Sequence, residues 1–409
     1  MRQHLIETWN IWTRRVPRLT AQSFTPDVKS CSNHPTVKPR LKFSMRETNL
    51  YFDIQFKRAA LTVSPSVVSL VSFTGEEELY QCSGTIIESY DDYTGIVITS
   101  ANLIRPQTEC ACAENILADK LKVFVKLSDG RSFDGKVCAY HFHYNLVVLS
   151  YKSDSPLQSA TLRQLEDCLH LNPSQLINSE EKSFQLCPHS NPMILHSRSM
   201  ILSPGDDVVA VGRYFDTPFD LMAAPGEYCL DRCEYDCSEL FMSTCRMTRC
   251  GDGSPLINIS GEVIGIAFHD VSFTPFMPIN MAYKWWEHYK IYRELRRPSL
   301  GMQAISFHAA RLRIAEKVIQ RFPSISKGVI VDKVISGSSA ESAGLRLHDV
   351  IVQCGGKVVN CFLQLLEIMW DNVGHVVDLV VVRADHVTPL TLKLMIVESA
   401  SDNSWPYWN

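Results

Sequence analysis

From Val63 to about Met281 the apolar residues fall in short runs separated by Gly, Asp and Ser. Ser66–Phe73, Gly84–Ile87, Gly95–Thr99, Leu121–Leu127, Asn145–Ser150, Asp207–Val211 and Glu262–Phe268 are the clearest. Ser128-Asp129-Gly130 and Ser260-Gly261-Glu262 supply turn chemistry between them. Short β-rich runs without intervening helices predict a sandwich or barrel, and the length suits two six-stranded barrels. The pattern turns helical at Tyr283–Arg297, which Pro298 is expected to close because proline cannot continue the hydrogen-bond ladder. Beyond it, Leu312, Ala315, Val318, Ile319 and Phe322 recur at helical spacing up to Pro323. Val329–Val334, Val350–Gln353 and Val376–Val382 read as strands and Leu363–Trp370 as a helix, which together predict a compact α+β module. The expected fold class is mainly β, with an arm at 1–50, a double barrel at 51–297, an α+β module at 298–398 and a tail at 399–409.

Composition narrows the function classes. The chain has 409 residues, 45% hydrophobic and 21% charged, with a net charge of −4. It exceeds what one core usually supports. A bulk balance this near neutral makes no electrostatic case for nucleic acid or an acidic membrane surface. No apolar run reaches the length of a membrane-spanning helix. The 14 cysteines are scattered along a long chain and read as reduced structural thiols in a reducing intracellular compartment rather than as a disulfide framework. Cys229, Cys233 and Cys237 recur every fourth residue, with Cys245 and Cys250 following, but they lack the paired knuckles of zinc sites. No metal or organic cofactor is implied. Residues 1–46 are rich in Arg and Lys (Arg2, Arg14, Arg15, Arg18, Lys29) and poor in acids, as in a mitochondrial or chloroplast transit peptide or in a disordered basic arm.

Four stretches carry chemistry. Gln81-Cys82-Ser83-Gly84-Thr85 leads to Gly95-Ile96-Val97-Ile98-Thr99-Ser100-Ala101-Asn102-Leu103-Ile104. Val125–Val137, with its Ser128-Asp129-Gly130 turn, leads to Tyr144-Asn145-Leu146-Val147-Val148-Leu149. Arg249-Cys250-Gly251-Asp252-Gly253-Ser254-Pro255-Leu256 runs into Gly261-Glu262-Val263-Ile264-Gly265, and Pro278-Ile279-Asn280 comes last. In content and order these resemble the HtrA (Do-like, Deg) serine proteases, those of plants in particular, over residues 60–395. The resemblance implies a trypsin-like double β-barrel followed by a PDZ domain. It places the general base at Asn102, its orienting acid at Asn145, the nucleophile at Asp252 and an oxyanion-hole amide at Cys250.

None of these side chains can perform the family's step. A serine nucleophile needs an imidazole to take and return its proton. The Asn102 amide has no basic nitrogen, Asn145 carries no charge, and the Asp252 carboxylate would repel a developing oxyanion. A Cβ at 250 disfavours the positive φ that glycine tolerates. A relocated triad would have to draw on Ser254 and His143, with His141 as their neighbour.

In the C-terminal module, Gly328-Val329-Ile330-Val331, Ser336–Leu345 and His348-Asp349-Val350-Ile351 resemble a PDZ signature, departing from it at Ser339 and His348. The resemblance implies capture of protein C-termini or extended peptides at Leu300, Gly301 and Met302. Phe362, Leu365, Leu366 and Met369 either wall that groove or pack the core, since periodicity alone does not separate the two. Three readings stay open. One is a pseudoprotease acting by peptide binding. Another is a subunit joining active relatives in homo- or hetero-trimers, with contacts near Tyr51 and Phe52. The third is a working serine endopeptidase in protein quality control.

Overall fold

The computed structural model describes residues 53–106, 117–166, 200–229, 237, 239–270, 272–293 and 296–399. The N-terminal arm with Tyr51 and Phe52, residues 400–409 of the tail and Cys233 lie outside the described residues. After a short helix, α1 (Ile54–Val63), come β1 (Val67–Thr74), β2 (Glu77–Ser89), β3 (Thr94–Ser100), β4 (Leu121–Lys126), β5 (Ser132–His141) and β6 (Leu146–Lys152). They close into an antiparallel barrel in the order β1-β2-β3-β6-β5-β4. The unbroken apolar run in β6 has a physical reason. Val147 and Leu149 point into this barrel's core, while Leu146 and Val148 join the larger core that continues into the rest of the chain. A strand buried on both faces cannot alternate apolar with polar.

The second barrel is β7 (Asp207–Arg213), β8 (Leu221–Cys229), β9 (Phe241–Ser243), β10 (Pro255–Asn258), β11 (Val263–Ala267) and β12 (Thr274–Pro278), closed in the order β8-β9-β12-β11-β10-β7. Arg213 ties the two barrels together. Its guanidinium donates to the carbonyls of Val67 (2.7 Å) and Ser64 (2.8 Å) beside the first barrel, and to Phe219 (2.9 Å) in the second.

Helix α2 (Ile279–Tyr292) follows β12 without a loop, so it starts four residues earlier than its periodicity suggests. It also ends earlier than expected. Arg293 adopts a left-handed φ of 57° and its N–H closes on Tyr289 O, five residues before Pro298. Pro298–Ser299 instead pairs with Val397–Glu398.

The last sheet runs β13 (Met302–Ser306), β14 (Val329–Val334), β15 (Val350–Cys354), β16 (Val376–Val382) and β17 (Leu390–Met395), in sequence order, so β13 and β17 are its edges. Helix α3 (Leu312–Arg321) follows β13, and α4 (Phe362–Asp371) follows β15. Within α3 only Val318 is fully buried, while Leu312 is 88% exposed, so the expected apolar stripe is not a continuous core face. Asp349 is buried against Arg383, which donates to both carboxylate oxygens at 2.7 and 2.8 Å.

Candidate functional site

The seam between the barrels gathers two of the three positions singled out above. Asn102 sits in the turn Ala101–Ile104 after β3, and Asp252 follows the turn Arg249–Gly251. The Asn102 amide donates to Asp252 Oδ2 at 3.1 Å. Tyr80 OH donates to the same oxygen at 3.0 Å, and the His269 backbone N–H donates to Oδ1 at 3.1 Å. Asp252 is 1% exposed, so its carboxylate is desolvated and held by neutral donors. Asn145 is apart from this pair. It takes a left-handed φ of 51°, and its amide donates to Ser100 Oγ at 3.0 Å, which also accepts the Asn102 N–H. Its buried Oδ1 has no hydrogen-bond partner.

The backbone of the loop is equally committed. The Asp252 N–H donates to Arg249 O at 3.1 Å and the Gly251 N–H to Thr248 O at 2.8 Å, closing a right-handed turn. Cys250 lies inside that turn and is not among the residues of positive φ. Ser83 Oγ donates to Cys250 O at 2.5 Å and Ser83 N–H to Asp252 O at 3.0 Å, which pins the loop to the first barrel. Gly253 completes the pinning. At φ 71° its backbone passes so close to Thr99 that a Cβ would stand 2.2 Å from Thr99 Oγ1.

Among the described residues around Asp252, the thiols and hydroxyls are not activated as nucleophiles. Burial pushes the Cys250 thiol up to about 11, away from thiolate formation. Burial, then the nearby Asp252, raises the Cys82 thiol and the Tyr80 hydroxyl still further. Ser254 is fully buried with its hydroxyl unpartnered. His143 lies in a different cluster, described below. Sequence reasoning missed Tyr80, His269 and Arg249, whose guanidinium stacks 4.9 Å over the Tyr80 ring. The one available signal was Tyr80, two residues before Cys82 and so on the same face of β2.

The Trypsin-like peptidase domain family matches residues 82–266. The Do-like 14 protein of Arabidopsis thaliana is 28% identical over 364 residues, covering 84% of this chain and 72% of its own length. Over most of its length the chain is similar to the HtrA/Do-like proteases. Serine protease HTRA4 of Mus musculus is 25% identical over 82% of the chain, which spans 62% of that relative, less than two thirds. The solved structure of the HtrA-type protease AlgW with a tripeptide shares the fold, with a TM-score of 0.51 and 16% identity over 85% of this chain and 98% of its own.

In this HtrA-like chain the residues expected to capture peptides come together, but as core. Leu300, Met302, Phe362, Leu365, Leu366 and Met369 are all buried and belong to one apolar cluster. Gly301, at φ 62°, turns its carbonyl inward to accept from Ile335 N–H and Ser338 Oγ, both at 2.9 Å. Of the two alternatives, groove wall or core, burial in one apolar cluster is what core packing expects of these side chains. Helix α4 is buried on both faces because it also packs against Tyr144 of the first barrel and against helix α2. Trp370 stacks on Tyr144 (5.7 Å between ring centres), Glu367 accepts from Asn280 at 3.1 Å, and Asp371 pairs with Lys284 at 2.8 Å.

Next to that contact lies the second polar cluster. His143, Cys237 and Glu239 are all buried, with Cys237 Sγ donating to Glu239 Oε2 at 3.4 Å and His143 Nε2 3.8 Å from the same oxygen. Arg297 lies 2.9 Å from His143 Nε2 and donates to Ser399 Oγ at 2.6 Å. A metal would compete with this guanidinium for His143 Nε2. The described cysteines of the 229–250 series go to separate partners: Cys229 to Glu227 O, Cys237 to Glu239, Cys245 to Val208 O and Cys250 to Thr248. They do not converge on one ion.

Proposed function

We propose that this HtrA-like protein is a pseudoprotease. Its double barrel, 51–297, serves as a scaffold, and a PDZ-like module, 298–398, binds extended peptides or protein C-termini. The observation that carries the reading is Asp252. It stands where the sequence resemblance puts the nucleophile, with Asn102 and Tyr80 donating to Oδ2 and its own N–H spent on Arg249 O. An endopeptidase needs a hydroxyl and an imidazole at these two positions and a free amide to receive an oxyanion. The edge position of β13 supports peptide binding by strand addition, in which main-chain bonds supply most of the affinity. The basic arm and any assembly with active relatives are consistent with this role and add no chemistry to it.

The test is a fluorophosphonate probe and unfolded casein, offered to the purified chain beside an active relative. No labelling and no cleavage are expected. Labelling that disappears in Ser254→Ala would overturn the reading. Peptides with a free apolar C-terminus should bind the full chain with micromolar affinity, about −8 kcal/mol, and their amidated forms much more weakly.

A further inference from the structure

His143, Cys237 and Glu239 come from segments far apart in the chain and meet in its interior. His143 lies in the turn between β5 and β6, and Cys237 and Glu239 precede β9. They are 1%, 3% and 2% exposed, and one donor atom from each lies within 4.8 Å of the other two. The donor set is a sulfur, an imidazole nitrogen and a carboxylate oxygen. A zinc ion holds sulfur at about 2.3 Å and nitrogen or oxygen at about 2.0–2.2 Å, so neighbouring ligands of a tetrahedral site stand about 3.3–3.6 Å apart. Cys237 Sγ is 3.4 Å from Glu239 Oε2, and His143 Nε2 is 3.8 Å from the same oxygen. Two edges of such a tetrahedron are therefore close to length already. The third, between sulfur and nitrogen, is at most 4.8 Å.

From this arrangement we infer that His143, Cys237 and Glu239 bind a zinc ion that clamps the two barrels together, with water as the fourth ligand. A set containing thiolate and imidazole favours zinc over the harder magnesium and calcium. Charge permits the exchange. In the metal-free cluster the Glu239 carboxylate is balanced by the Arg297 guanidinium, 2.9 Å from His143 Nε2. On zinc binding the proton of Cys237 Sγ leaves to solvent, and Zn²⁺, thiolate and carboxylate again sum to zero. The buried group gains no net charge, which is the condition a desolvated site sets. Arg297 is half-buried and has Ser399 Oγ, at 2.6 Å, as a partner outside the cluster, so it can give up His143. The cysteine spacing contains no paired zinc knuckles, and the fold instead draws the donors from both barrels. This inference is independent of peptide binding by the module at 298–398.

The experiment titrates the full chain, free of any polyhistidine tag and stripped with a chelator, with Zn²⁺ against a chromophoric chelator and with Co²⁺ by absorption. About one equivalent of Zn²⁺ should bind. Co²⁺ should give tetrahedral visible bands and a thiolate-to-cobalt charge-transfer band. Cys237→Ser should abolish that band and weaken zinc at least about a hundredfold, since losing even an outer-shell partner costs roughly 10–100-fold. His143→Gln should weaken zinc as much, while Cys138→Ser, at a half-buried thiol elsewhere, should change nothing. Arg297→Gln should tighten zinc about tenfold by removing the competing cation. That variant also loses the charge that balances Glu239, so zinc should raise its melting temperature more than that of the parent. A missing charge-transfer band, a band that survives Cys237→Ser, or zinc binding not tightened by Arg297→Gln would each overturn the inference. Should Cys237→Ser fail to fold, the comparison of Arg297→Gln with the parent still decides.

Discussion

Two buried carboxylates, Asp252 at 1% exposure and Glu239 at 2%, hold two different seams of this molecule. Asp252 joins the barrels and is satisfied by neutral donors: an amide, a phenol and a backbone N–H. Glu239 lies where the second barrel meets the first barrel's His143 and the Arg297 of the segment leading into the third module. Burial alone pushes its carboxyl up, but hydrogen bonding and charge from His143 and the charge of Arg297 outweigh that and hold it at about 2. One seam rests on hydrogen-bond geometry and the other on charge. The first should depend on which side chains are present, the second on pH as well.

Neutralising each acid exposes the difference most strongly. Glu239→Gln should destabilise the fold by about 3 kcal/mol, near the low end for breaking a buried pair because Arg297 is partly exposed. Asp252→Asn should cost about 1–2 kcal/mol, since the amide keeps one acceptor oxygen for three donors. Urea titrations would decide it, and equal losses would erase the distinction. The acid limb adds a second handle. Burial lowers the His141 imidazole to about 3, with the charges of His143 and Arg297 adding to it. Below its unfolded value near 6.5 the unfolded chain binds a proton that the folded chain refuses, so stability falls as pH drops from there toward 3. Glu239, depressed from about 4.5 to about 2, loses its contribution over that lower window, in the same direction. His141→Asn keeps an acceptor for the Tyr144 N–H, which now bonds to His141 Nδ1 at 3.3 Å. It should flatten the loss between about pH 6.5 and 4.5.

Restoring the family's side chains probes the other seam. Asn102→His with Asn145→Asp and Asp252→Ser removes the acceptor that now collects Tyr80, Asn102 and the His269 N–H, and leaves the turn at Cys250 in place. With the 252 N–H turned to Arg249 O, one oxyanion donor is missing, which costs roughly 10²–10³ in kcat. Casein cleavage by the triple variant should therefore stay at least about a hundredfold below the same variant carrying Cys250→Gly. Equal rates would mean that the turn opens without glycine.

What the chain disclosed beforehand follows the same division between local and distant. The barrels were readable because strand runs and turns are local, and β6 even showed its double burial as an unbroken Leu-Val-Val-Leu. Asn145 was placed by motif, and its left-handed backbone suits asparagine better than most residues. The start of α2 was not readable, because a strand that passes directly into a helix leaves no turn signal at Pro278. The partners of Asp252 and Glu239 come from strands and loops far apart in sequence, and no spacing rule connects Tyr80 to Asp252 or His143 to Glu239. The double burial of α4 depended likewise on distant contacts, with Tyr144 and with helix α2.

A matched pair of tyrosines gives the finest test, because each cluster contains one and removing a hydroxyl changes little else. Tyr80 OH lies 3.0 Å from Asp252 Oδ2, within normal hydrogen-bond range. Tyr144 OH lies 3.5 Å from Glu239 Oε1, at the limit of the interaction. Tyr144→Phe keeps the ring stacked between His141 and Trp370, with centroid separations of 4.6 and 5.7 Å. Glu239 keeps His143 and the Arg297 charge, so the loss should be no more than about 0.5 kcal/mol. Tyr80→Phe leaves Asp252 with two of its three donors in a site closed to water, so it should cost about 1.5 kcal/mol, the low end of the range for a bond to a charged acceptor. Arg249 still has a ring to stack on in that variant, which isolates the hydroxyl from the cation–π contact. Paired thermal melts at neutral pH would rank the two. A larger loss at Tyr144 would mean that the charged seam, too, depends on hydrogen-bond geometry, and the contrast between the two carboxylates would fail.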